Sequence, residues 1–175
     1  MATNNNNVLV GAGVLSLGVY QPAGGAATLV DAGHSRNLAL AVAHENFDVK
    51  TDRAYGLIKK IPIETSYRIT GILDESTPEN WRLLLRLATG NLTGTPPNQT
   101  LDLGDPKEVY YQTKLDIPGI GTNKTRAIVF YKGFSDLSGD IPFQKAAVQN
   151  LPFTIDCLYD DSVTGANKFG KLTDS

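Results

Sequence analysis

The residues able to do covalent or metal chemistry in this 175-residue chain are few: two histidines, one cysteine and a scatter of serines and acids. His34 and His44 stand ten positions apart on either side of a presumed strand, whereas metal sites pair ligands a few residues apart and add a third. Ser35 adjoins His34 but lacks the Gly-x-Ser-x-Gly surroundings of a nucleophile elbow. Cys157 has no partner for an intrachain disulfide and lies among alternating apolar residues, the setting of a buried core thiol. Asp160 and Asp161 follow that run and read as a solvated turn. Val8-Leu9-Val10-Gly11-Ala12-Gly13 imitates the strand and glycine turn of a dinucleotide-binding fold. Its third glycine would fall at Ser16, and the helix meant to cradle a pyrophosphate would run through Gly18 into Pro22, Gly24 and Gly25. The pattern predicts no catalytic, cofactor-binding or metal-ligating residue, and so no enzyme.

A formal net charge of −2 with scattered basic residues lacks the clustered cations with which a DNA-reading protein neutralises phosphates. Lys59 and Lys60 are the only adjacent basic pair and read as a solvated loop. The aromatic residues are not interleaved with Lys and Arg, which argues against a stacking platform for single strands. Hydrophobic residues make up 41% of the chain, enough for one domain with a core over residues 1–175. Residues 1–7 and 161–175 are polar and are expected as extended arms or tails. Neither a signal peptide nor a membrane span is expected, which places synthesis and residence in a cytoplasm. The sequons at Asn91, Asn98 and Asn123 are then read as chance.

The elements follow from periodicity. Ile61, Ile63, Thr65, Tyr67, Ile69, Gly71 and Leu73 alternate with Glu64, Ser66, Arg68, Thr70 and Asp74, which predicts a strand with one wet face. Ser76 and Thr77 supply caps, Pro78 suits the first helical position and Glu79 the positive end of the dipole. The spacing of Trp81, Leu84, Leu85 and Ala88 then predicts an amphipathic helix closed at Gly90. A second alternation over 37–50 sets Leu38, Leu40 and Val42 against Asn37, Ala39, Ala41, Ala43 and Glu45, a face small enough to pack against another strand or subunit. Further strands are expected within 8–20, 108–117, 125–134 and 151–159, a short strand or bulge near 142–147, and an irregular excursion over 91–107. About seven strands and one helix, joined by hairpins, make a mainly antiparallel β-sandwich or partly closed barrel with the helix on one side.

Several of these features in order resemble the major tail tube protein of long-tailed, siphophage-like bacteriophages. They are the strand Gly13-Val14-Leu15-Ser16-Leu17-Gly18-Val19-Tyr20, the long paired strand with its basic loop from Arg53 to Lys60, the strand over 61–73, and the helix start Ser76-Thr77-Pro78-Glu79-Asn80-Trp81. The closing strand Leu151-Pro152-Phe153-Thr154-Ile155-Asp156-Cys157-Leu158-Tyr159-Asp160 completes the likeness, which covers residues 10–160. The resemblance implies a structural virion protein without cofactors, assembled in the host bacterial cytoplasm. Copies would close into homohexameric rings, complete an inner β-barrel and stack into a hollow tube that conducts double-stranded DNA. Tape-measure, tail-terminator and distal tail proteins would be its neighbours, with no membrane partner. The polar faces of 37–50 and 61–74 would line the lumen, with Glu45, Asp48, Glu64, Ser66, Arg68 and Thr70 as candidates. The loop over 51–60 would touch an adjacent subunit or ring through Arg53, Tyr55, Leu57, Ile58, Lys59 and Lys60. The alternative reading is a β-sandwich binding or capsid-decoration module.

Overall fold

Leu57–Leu73 and Ser35–Lys50 form the two longest strands, of 17 and 16 residues, and pair as one antiparallel hairpin. The computed structural model describes residues 13–50, 57–118, 125–141 and 149–174, with the side chains of Lys50, Leu57 and Ile58 outside that description. In chain order the strands are β1 (Val14–Val19), β2 (Val30–Asp31), β3 (Ser35–Lys50), β4 (Leu57–Leu73), β5 (Leu92–Thr95), β6 (Asn98–Leu101), β7 (Tyr111–Pro118), β8 (Thr125–Leu137), β9 (Leu151–Leu158) and β10 (Gly170–Asp174), with one helix α1 (Pro78–Leu84) between β4 and β5. Eight strands make one antiparallel sheet in the order β2-β1-β7-β8-β9-β4-β3, with β10 added on β8. Among the described residues the sheet does not close into a barrel: Ser35 Oγ donates to the Gly13 carbonyl at 3.2 Å, but β1 and β3 share no ladder. Among the described residues the mainly β, antiparallel class with a single flanking α-helix is therefore the one observed.

The helix begins as its sequence dictates. Thr77 Oγ1 accepts from Asn80 N at 3.2 Å, Pro78 opens the first turn and Glu79 sits within it. Its end differs from expectation: Arg86, not Gly90, takes the left-handed position at φ 56°. Leu87 N donates to Arg82 O at 3.0 Å and Arg86 N to Leu83 O at 3.3 Å, the paired bonds of a Schellman cap. The Arg86 guanidinium lies 4.0 Å over the Phe134 ring, which holds the residue in place. The earlier stop changes the buried face, now Leu83, Leu84 and Leu87, while Trp81 and Leu85 are half-buried. Leu83 and Leu84 meet Leu15, Leu17, Ile69, Leu73, Tyr111, Phe153 and Ile155 in the core, and Ser135 Oγ ties the helix to β8 through Leu83 O at 2.8 Å.

Residues 91–107 are not wholly irregular, since β5 and β6 pair around a cis Pro96-Pro97 peptide. The stretch 161–175, expected as a free tail, turns back onto the sheet as β10. Its root is fixed by a carboxylate that sequence placed in solvent. Asp160 is 1% exposed, and its Oδ1 accepts from Tyr20 Oη at 2.9 Å, Ser162 N at 3.1 Å and Ser162 Oγ at 2.6 Å. Residues 142–147 lie outside the described residues.

Candidate assembly surface

The two strands of the β3–β4 hairpin meet different surroundings along their length. Near the helix, Ile69 and Leu73 are at most 1% exposed, packed with Phe153 and Ile155 of β9. Gly71 makes that approach possible, since a Cβ there would stand 2.7 Å from Leu38 Cδ2 and 2.9 Å from Phe153 Cζ. β9 ends at Leu158, opposite the stretch of β4 that begins at Tyr67. Beyond that point β4 pairs only with β3, and residues 41–48 and 59–64 are exposed on both faces. Phe47 is 57% exposed, Ile63 59%, Val42 47% and Ile61 41%.

Register assigns the faces, because residues paired across an antiparallel ladder project from the same side. Thr70 pairs with Ala39, Arg68 with Ala41, Ser66 with Ala43 and Glu64 with Glu45, so five of the six residues expected on the polar face share it. Arg68 Nε meets Asp156 Oδ1 at 2.6 Å from β9. Glu45 and Glu64 stand opposite each other as like charges, an arrangement that costs stability in an isolated sheet. The sixth residue parts from the set. Asp48 lies an odd number of positions from Glu45 on the same strand and so projects from the other face, where Lys60 Nζ approaches it at 3.8 Å.

A register shift explains a second departure. Between Glu45/Glu64 and Asn46/Pro62 the extra residue is Ile63 of β4, a β-bulge that flips the alternation beyond it. Phe47 and Ile61 are partners on the face of Glu45, whereas Ile69 and Tyr67 occupy the opposite one. The single apolar face expected along 61–73 is therefore broken. Its outer part adjoins the acidic pair instead of continuing the core. Arg53 and Tyr55 lie outside the described residues, as do the side chains of Leu57 and Ile58; the loop expected over 51–60 is strand from Leu57 on, because that segment pairs with β3, and Lys59 and Lys60 are exposed strand residues there.

The residues first considered for chemistry do not converge. His44 Nδ1 lies 3.1 Å from Thr65 Oγ1 on the exposed hairpin, and exposed His34 donates its backbone N to Glu75 Oε1 at 3.2 Å. No group of three or more potential metal-ligating side chains occurs among the described residues. Burial, reinforced by Asp156, pushes the Cys157 thiol up to about 12, so it stays protonated and unreactive. Asp160 is held below the ordinary carboxylate range: burial alone would raise it, but the hydrogen bonds from Ser162 and Tyr20 and the charge of Lys132 outweigh that. No helix among the described residues is long and apolar enough to cross a membrane.

No protein-family model and no curated protein matches the chain. The reading of its function therefore rests on the surface just described. Sequence missed one part of that surface and one carboxylate outside it. The bulge at Ile63 left no glycine or proline signal at that residue, although Pro62 beside it marks a strand irregularity. Asp160 lies in the turn expected there, but buried and bonded to Ser162 and Tyr20 instead of solvated.

Proposed function

We propose that this chain is a structural subunit of a phage tail tube, polymerising as stacked hexameric rings into the hollow conduit for double-stranded DNA. The observation that carries the reading is the outer half of the β3–β4 hairpin, two long paired strands with apolar side chains on exposed positions and no core beneath them. A monomer gains little from such a structure, and an exposed long hairpin invites pairing with other chains. Joining the sheets of neighbouring copies side by side removes those edges, and the seating of the next ring on the hairpin tip is what would cover Phe47 and Ile61. The charge on the same face also supports the reading. Glu45, Glu64 and the Arg68–Asp156 pair give a surface that repels or ignores phosphates, as a conduit for DNA requires.

Negative-stain microscopy of the purified chain tests this directly. Rings or tubes support it, and discrete monomers or trimers with a ligand groove support a binding or capsid-decoration module instead. Deleting residues 52–59, which also removes Leu57, Ile58 and Lys59 at the start of β4, is expected to leave a folded chain that no longer polymerises. Normal tubes from the deletion variant remove that segment from the assembly contacts.

A further inference from the structure

β9 covers one edge of β8 from Lys132 to Leu137, and β7 covers the other from Thr125 to Gly133. From Arg126 to Phe130 the first edge would be bare, and β10 lies along it, with Asp174 opposite Arg126, Thr173 opposite Ala127 and Gly170 opposite Phe130. The strand is held lightly. Lys171, Leu172, Thr173 and Asp174 are all exposed, Leu172 to 58%. At the far end Arg126 closes on Asp174 with two bonds at 2.6 and 2.8 Å.

The root of β10 is firm by contrast. Phe169 packs at 5.1 Å from the Tyr67 ring and 5.7 Å from Tyr159, and its carbonyl accepts from Tyr131 N at 3.0 Å. Asn167 Nδ2 reaches Tyr131 Oη at 3.2 Å. The change from firm to light comes at Gly170, where a Cβ would run into the Val129 carbonyl. Beside the strand lies a hollow of about 260 Å³ lined by Leu40, Tyr67, Ile128, Phe130, Phe169 and Leu172.

We propose that β10 is an exchangeable strand: the β8 edge from Arg126 to Phe130, with the apolar hollow beside it, accepts the 170–174 segment of a second copy of this chain in place of its own. An added strand needs ladder groups to pair with for affinity, and the edge supplies them; the hollow, walled by Leu40, Tyr67, Ile128 and Phe130 on the sheet side and by Gly170, Lys171 and Leu172 of β10 itself, forms again around an identical strand. Every contact the edge makes with its own strand is available to an identical one. That includes the ladder, the place of Leu172 opposite Ile128 and the cation of Arg126. The resident strand competes only with the millimolar effective concentration of a short tether. Exchange prevails where copies are held side by side, and until then β10 blunts an edge that would otherwise pair at random. The side-by-side condition rests on the assembly reading above; the edge and its occupant do not.

Cysteine crosslinking tests the exchange. Directly opposed strand positions lie within disulfide range, and Cys157 is buried away from the edge. In the double variant A127C/T173C, dilute oxidation is expected to give an intrachain bond, and locking it is expected to slow any assembly relative to the reduced form. When the single variants A127C and T173C are mixed at high concentration and oxidised, the heterodimer is expected to predominate over both homodimers. Homodimers alone, with the intrachain bond still closing in the double variant, would show a strand that sits in register but does not exchange, and would overturn the proposal. Failure of the intrachain bond would overturn it as well, by removing the register. A heterodimer without rings or tubes would uphold the exchange and defeat only the tail tube reading.

Discussion

The inner and outer halves of the β3–β4 hairpin are built from the same alternation of apolar and polar residues, yet only one of them has a core. Around Ile69, Gly71 and Leu73 the strand is paired with β9 and its apolar side joins one core with Leu83 and Leu84 of the helix, and burial is complete. Around Phe47, Ile61 and Ile63 the same kinds of residue are 41% to 59% exposed. Periodicity tells a strand which face is apolar, but not what that face will meet. The partner for the inner half lies in the same chain; the partner for the outer half is proposed to be another copy.

Stability should separate the halves sharply. Ile69→Ala leaves a hole in a filled core and is expected to cost about 2–5 kcal/mol. Chemical denaturation measures it, and a cost similar to that of an exposed position would break the comparison at its buried end.

The fold class was legible because it depends on local signals. Thr77-Pro78-Glu79 marks the start of the helix, and the alternation of Leu151, Phe153, Ile155 and Cys157 marks a strand with one buried face, which the structure bears out. The end of the helix was not legible, since a left-handed Arg86 is stabilised by Phe134, a residue 48 positions away, and no local pattern records that contact. The same holds for the candidate surface. Glu45, Glu64, Ser66, Arg68 and Thr70 share a face because their register is regular, whereas Asp48 falls on the other face by parity and Ile61 is displaced from expectation by one bulged residue. Asp160 was misplaced because one of its hydrogen-bond donors, Tyr20, is distant in the chain.

Asp160 sharpens the comparison from outside the hairpin, by fixing the root of the segment that carries β10. Asp160→Asn removes charge-assisted hydrogen bonds and is expected to cost about 1.5–3 kcal/mol near neutrality. The sign of its pH dependence follows from a folded-state pKa below the unfolded value. The stabilisation is fully present above the ordinary carboxylate pKa near ~3.9 and is lost as pH falls through the depressed one. Wild type and variant should converge in acid; a gap that persists there would mean that the charge is not the cause.

The helix supports the inner half alone, so weakening it should leave the outer half unchanged. Thr77→Ala removes the acceptor for Asn80 N and is expected to cost about 1 kcal/mol. Hydrogen exchange should then show faster opening around Leu83 and Ser135, and no change at Phe47 or Ile61. Equal acceleration at both ends would show the hairpin to be one cooperative unit.

The smallest expected effect bears most on the outer half. Phe47→Ser in the isolated chain removes a side chain that is 57% exposed and paired only with Ile61, and should change stability by no more than about 0.5 kcal/mol. The same substitution should prevent rings or tubes from forming, because burial of an aromatic surface between copies is what the residue would contribute. A large loss of stability in the isolated chain would mean that Phe47 is already covered, and the two halves would no longer differ. Unchanged stability with unchanged assembly would instead leave the exposed ring without a partner. In that case the apolar character of the outer hairpin has to be explained by Ile61 and Ile63, which the matching substitutions at those positions would decide.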